Sequence, residues 1–212
     1  MTIFADNLIC PMSINILEQY LPDHTFHHLK KWFSDYYIHI KITKSRTSKL
    51  GDYRRLPDKS HQITVNATLD KQLFFFVLTH ELAHLIAFEK FKFRISAHGQ
   101  EWKDTFREML LESIDVYSDD LKPIILNFSR NPKANFMASP ELVRYFHIEN
   151  PAENAVFVEE LLINDEFIYK GDTYVVLEKK KKLYLCLRRK NSKKYLFRPL
   201  AKVEKITINE QQ

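Results

Sequence analysis

The stretch from Leu73 to Phe88 constrains this chain more than any other. It reads Leu-Phe-Phe-Phe-Val-Leu-Thr-His-Glu-Leu-Ala-His-Leu-Ile-Ala-Phe. A segment this apolar on every side predicts a helix buried almost all round. Yet it carries His80, Glu81 and His84, and ionisable groups inside a core are expensive unless they have partners. His80 and His84 are spaced i, i+4, one turn apart on the same helix face. Two imidazoles so placed reach one tetrahedral zinc ion at about 2.0–2.1 Å each. Glu81, next to the first histidine, is placed to take a proton from a water at the metal rather than to bind the metal itself. A catalytic zinc needs a third protein ligand, and His98 is the best candidate. The competing reading is a chance HExxH match with satisfied core histidines, and the apolar setting counts against it.

The remaining composition bounds the class. At 212 residues, 45% hydrophobic and 13% aromatic, the chain can bury a sizeable core in one or two domains. Cys10 and Cys186 form no CxxC pair, so neither a disulfide framework nor a cysteine zinc site is encoded. The N-terminus lacks the basic and apolar regions of a signal peptide, and no stretch reaches the ~18 apolar residues of a membrane span. The expectation is a cytoplasmic protein, nucleoid association included, with no membrane partner; the oligomeric state stays open.

Along the chain, 14–37 reads as helical. Ile38, Ile40 and Ile42 alternate with polar residues in a half-buried strand. The stretch 45–55 reads as a turn containing Gly51 and a returning strand, and His61–Asn66 as a third strand leading into the metal helix. Gly99 opens a further helix whose Trp102, Phe106, Met109, Leu110 and Ile114 form a core stripe. From 119 to 151 the prolines cluster, four of the eight in the chain, which predicts a connector, and phenylalanines such as Phe128 and Phe146 spread through it predict an ordered one. From Val156 onward short strands with basic turns predict a small antiparallel sheet or barrel. The expected domains are thus 1–118, a connector 119–155, and a basic β-rich module 156–212.

The formal charge of +5 is unevenly spread: 168–212 holds 13 basic residues against 4 acidic, a net +9, leaving −4 for the rest. The excess lies in Lys179, Lys180, Lys181 and Lys182 and in Arg188, Arg189, Lys190, Lys193 and Lys194. With Tyr184 and Tyr195 between them, these are candidate nucleic-acid contacts, expected to merge into one positive patch at neighbouring ends of a strand pair. Arg46, Lys49 and Arg54 are further candidates near the cleft. His24, His27 and His28 read as a solvated helix start rather than a second metal site.

The order strand, Arg46-to-Arg54 turn, Ile63–Asn66 strand, His80-Glu81-Leu-Ala-His84 helix and then His98-Gly-Gln-Glu-Trp102 resembles the SprT-like (Spartan-related) family of zinc metallopeptidases, over about 17–111. A metzincin would need histidine at position 90, which is Lys90; Glu108 and Glu112 are the alternatives for a downstream glutamate ligand. The resemblance implies an α+β, minigluzincin-like fold, a small mixed sheet packed on the buried HExxH helix, followed here by the small β-rich module. It further implies one Zn²⁺ per chain held by His80, His84 and His98, Glu81 as general base, and protein substrates bound or crosslinked to DNA. The paired cysteines of the C-terminal zinc ribbon common in such proteins are missing. Two other functions remain open: a metal-stabilised nucleic-acid-binding protein with an idle hydrolase site, and a general cytoplasmic peptidase. The strand 61–66, if it lay at a sheet edge, would be the place for an extended peptide to pair.

Overall fold

The computed structural model describes residues 17–44, 46, 49–92, 95–135, 138–146 and 155–206. Two compact units divide the chain, Met1–Phe146 and His147–Gln212. Among the described residues no helix is long and apolar enough to cross a membrane.

The first unit runs α1 (Phe26–Phe33), β1 (Ile38–Thr43), β2 (Gly51–Arg55), β3 (His61–Asn66), α2 (Lys71–Phe91), α3 (Gln100–Glu112), α4 (Lys122–Ser129) and α5 (Pro140–Tyr145). The helical stretch expected over 14–37 is broken. A 3₁₀ turn at Glu18–Tyr20 and α1 are separated by the segment containing Pro22, whose ring cannot continue a helix; positions 14–16 lie outside the described residues. Helix α2 has the expected character. Its buried residues include Leu73, Phe74, Phe75, Phe76, Val77, Leu78, Leu82, Ala83 and Leu85, spread over the whole circumference. Asp70 caps it, Oδ1 accepting from the backbone N–H of Gln72 at 2.8 Å and of Leu73 at 3.3 Å, a cap worth ~1 kcal/mol.

The sheet is mixed, in the order β1-β3-β2, with β3 parallel to β1 and antiparallel to β2. This corrects the expectation that 61–66 offers a free edge. Strand β2 folds back on one side of β3 while the parallel β1 occupies the other, so β3 has no ladder position left for a peptide. The edges are β1 and β2. The central position also explains why β3 is buried at all six positions, polar residues included. Asn66, 1% exposed, accepts from Arg46 Nε at 2.8 Å and donates to the Arg46 and Lys49 carbonyls at 3.2 Å each. It thereby fastens the β1–β2 turn to the sheet.

The stretch expected as a connector divides at the unit boundary. Up to Phe146 it packs into the first unit: Leu121, Ile125, Phe128, Leu142 and Phe146 join the core. Phe128 meets Phe76 at 5.4 Å between ring centroids and Phe106 at 6.1 Å. These apolar residues are long-range partners of α2 and α3, which the proline-rich local pattern does not reveal.

The second unit is a six-stranded antiparallel sheet ordered β4-β9-β5-β6-β7-β8. Its strands are β4 (Ala155–Phe157), β5 (Glu166–Tyr169), β6 (Asp172–Lys179), β7 (Tyr184–Arg188), β8 (Lys194–Phe197) and β9 (Lys202–Lys205). Phe167, Tyr174, Val176, Tyr184, Cys186, Phe197 and Val203 form its own core. Strand β9 has no sequence signal of its own, because Val203 is its one buried residue and four residues carry no readable alternation. The Cys186 thiol is buried, and burial pushes it up to about 11; Cys10 lies outside the described residues.

Candidate metal centre

Helix α2 and the loop before α3 bring His80, His84 and His98 together. One ring nitrogen from each lies within 4.8 Å of the others. The Nε2 atoms of His80 and His84 are 3.3 Å apart, close to the ~3.3–3.4 Å edge of a tetrahedron built on 2.0–2.1 Å bonds. Burial, then the neighbouring imidazoles, push His80 down to about 3. Burial and His98 push His84 down to about 4. Both rings are therefore neutral near pH 7, the form that ligates metal. The Ala97 backbone beside His84 acts in the opposite direction, favouring the charged ring. His98 is exposed at the mouth of the cluster, and its pKa is lowered by partial burial.

Trp102, one turn into α3 and fully buried, backs all three imidazoles. Its ring lies 4.8 Å from His80, 5.2 Å from His84 and 4.7 Å from His98. Its sequence pattern marks it as core, and the structure makes it also the wall that holds the ligand rings. Tyr53 of β2 stacks on His84 at 6.3 Å, and its hydroxyl lies 3.1 Å from His61 Nδ1.

Glu81 is 7% exposed. Burial first, then the Asp52 carboxylate, push it up to about 8, against the opposing Lys49 and Arg46 charges and a hydrogen bond from the Tyr53 backbone N–H. The close approach of β2 to α2 beside Glu81 depends on Gly51. A Cβ there would meet Glu81 Oε1 at 2.6 Å and Val77 Cγ1 at 2.7 Å. The sequence marks Gly51 only as a turn residue; its scarcity, one of three glycines, is the available signal of a special role.

The other candidates separate. Arg46 is engaged with Asn66 and with Thr64 Oγ1 at 3.1 Å, and Lys49 with Asp52 at 2.7 Å, so both brace the β1–β2 turn. Arg54 is exposed on β2. Glu108 and Glu112 stay out of the histidine cluster; Glu112 accepts from Lys31 Nζ at 2.7 Å and Trp32 Nε1 at 3.5 Å. His28 is not a solvated helix start: it is 4% exposed and packs on Trp32 at 5.6 Å.

In the second unit the two basic runs do not form a single patch. Lys179–Lys182 lies at the β6–β7 turn and Arg188–Lys194 at the β7–β8 turn. Successive hairpins of a meander turn at opposite ends of their shared strand, so β7 keeps the runs apart. Tyr184 is 3% exposed and belongs to the core, whereas Tyr195 is 36% exposed. Arg188 pairs with Asp172 and Arg189 with Glu166. Lys181, Lys182, Lys190, Lys193 and Lys194 are exposed.

Residues 22–117 match the family model described as the SprT-like family. No curated protein and no solved structure matches the chain.

Proposed function

We propose, taking residues 22–117 as a SprT-like domain, that this chain is a zinc-dependent endopeptidase. The observation that carries the reading is the convergence of three imidazoles beside a buried glutamate in the first unit. His80, His84 and His98 would hold the ion. Nitrogen donors, the His80–His84 pair at tetrahedral spacing, suit zinc, and three protein ligands leave a position open, as catalytic sites require. Bound zinc supplies Lewis acidity. Glu81 accepts the proton of the attacking water on its carboxylate and delivers it to the leaving amide nitrogen. The Trp102 wall keeps the ligand rings in place. Edge strand β2, which approaches the glutamate at Gly51, is where an extended substrate peptide would add by main-chain pairing, with low side-chain selectivity.

The finer reading is that the substrates are proteins on DNA, crosslinked ones included. Its support is the +9 charge of 168–212 and the exposed lysines at two turns of the second sheet. Tethering would confine a poorly selective active site to proteins already on a polyanion. The decisive variant is Glu81→Gln. It should keep the metal and lose ~10²–10⁴-fold in turnover, measured on a protein substrate with and without single-stranded DNA. Wild-type turnover in that variant would overturn the mechanism.

A further inference from the structure

A second group of ligating side chains lies in the first unit, outside the HExxH cluster. His27 and His28 of α1 and Asp115 of the 3₁₀ turn Ile114–Val116 each offer one atom, all within 4.8 Å of one another. His28 Nε2 is 3.1 Å from Asp115 Oδ1, near the ~3.3 Å ligand–ligand spacing of a tetrahedral ion. The His27 and His28 rings are 3.8 Å apart. His27 and Asp115 are exposed and His28 is buried.

The second observation is a buried atom without a partner. The His28 side chain is 5% exposed, and its Nδ1 has no hydrogen bond. The Glu112 carboxylate lies 3.8 Å from that Nδ1, just beyond hydrogen-bond reach, and is held by Lys31 and Trp32. A metal on Nε2 would fix the imidazole tautomer with its proton on Nδ1, facing Glu112. That is the carboxylate–histidine–metal arrangement by which outer groups orient ligands. In the metal-free state Nε2 has the Asp115 hydrogen bond, and Nδ1 faces the Glu112 carboxylate at 3.8 Å.

The charges permit it. His27 sits in the first turn of α1, where the helix dipole opposes a cation. Asp115 and Glu112 together bring two negative charges, and Lys31, already paired with Glu112, offsets one. Two imidazoles and a carboxylate suit a borderline divalent transition ion over calcium or magnesium.

We propose that His27, His28 and Asp115 form a second divalent transition-metal site, with Glu112 supporting His28, that staples α1 to the turn following α3. The site bridges positions 87 residues apart in sequence, so occupancy stabilises the folded first unit by binding the native state alone.

The test uses the full chain, stripped with chelator and reloaded at buffered free zinc in the micromolar range. The proposal expects His27→Ala/Asp115→Asn to retain about one zinc ion fewer per chain than wild type. Wild type should also gain a larger metal-dependent rise in Tm than the double variant, whose HExxH cluster still binds. His27 and the 57%-exposed Asp115 side chain lie at the surface, and the single Asp115→Asn serves as the milder second variant. Because the readout is a difference of one ion, it does not depend on whether the HExxH cluster is filled. Equal zinc content in wild type and both variants overturns the site, as does a metal-dependent Tm rise of the same size in wild type and the double variant.

Discussion

Replacing Gly51 with alanine would set a Cβ 2.6 Å from Glu81 Oε1, 2.7 Å from Val77 Cγ1 and 2.9 Å from Glu81 Cγ. Carbon–carbon contacts are most favourable near ~3.5–4.0 Å, so β2 must lift from α2 or Glu81 must move. The carboxylate end can swing away, but the Val77 methyl and the Glu81 stem sit on a buried helix and cannot. Overpacking of this kind costs about 1–3 kcal/mol. The loss of unfolded-state freedom on replacing glycine returns about 0.4–1 kcal/mol, since Gly51 lies outside the left-handed region. A net loss near 1–2 kcal/mol should lower Tm by roughly 3–8 °C. Displacing the Glu81 carboxylate by about 1 Å should cost up to ~10²-fold in kcat/KM. Zinc content should be unchanged, because the three atoms nearest the new methyl group belong to Glu81 and Val77 rather than to a histidine. Thermal melts, metal analysis and peptidase assays would be run on Gly51→Ala, Val77→Ala and the double variant. Removing the Val77 methyls should recover part of the stability, a coupling of at least ~0.5 kcal/mol. Unchanged Tm and kcat/KM in Gly51→Ala would refute the claim that this glycine sets the approach of β2 to the base.

His98→Ala should weaken zinc binding strongly while the fold persists, because His98 is exposed and α2 stays packed; equal zinc affinity by competition titration would remove it from the site. The metal-free protein should be most stable near pH 6.5. Glu81 is raised from 4.5 to about 8, so the native state holds an extra proton in that window and stability falls as pH rises towards 8, by ~1.4 kcal/mol per unit at most. His80 and His84 are lowered from 6.5 to about 3 and about 4, so stability also falls as pH drops below 6.5. Urea titrations across pH 5–9 would check this, and a Glu81→Gln variant with the same alkaline slope would contradict it. Replacing Lys190, Lys193 and Lys194 with glutamine should weaken single-stranded DNA binding and flatten its dependence on log salt, by about 0.7 for each phosphate no longer neutralised; an unaltered slope would place the DNA-binding surface elsewhere.

Parts of this protein are legible in the chain because their signal is local. The apolar run 73–88 dictates a buried helix, the i, i+4 histidines must share one face of it, and Ile38, Ile40 and Ile42 can only alternate as a strand. These follow from backbone periodicity, which each segment carries within itself. Other features depend on partners distant in the chain, and packing alone settles them. Strand β3 looks amphipathic, yet it lies mid-sheet because β1 and β2 flank it, and that moves the open edges to β1 and β2. The basic runs are neighbours in sequence but sit at opposite ends of β7, since each hairpin reverses the chain. Phe128 and Leu142 read as connector but belong to the core, and His28 reads as solvated but is buried against Trp32. Gly51 shows the division most plainly. Its place beside a turn is legible locally, but the need for a missing side chain arises only where β2 meets Glu81, 30 residues further on. Contacts of that kind depend on the packing of two elements together, and neither element's own sequence records it.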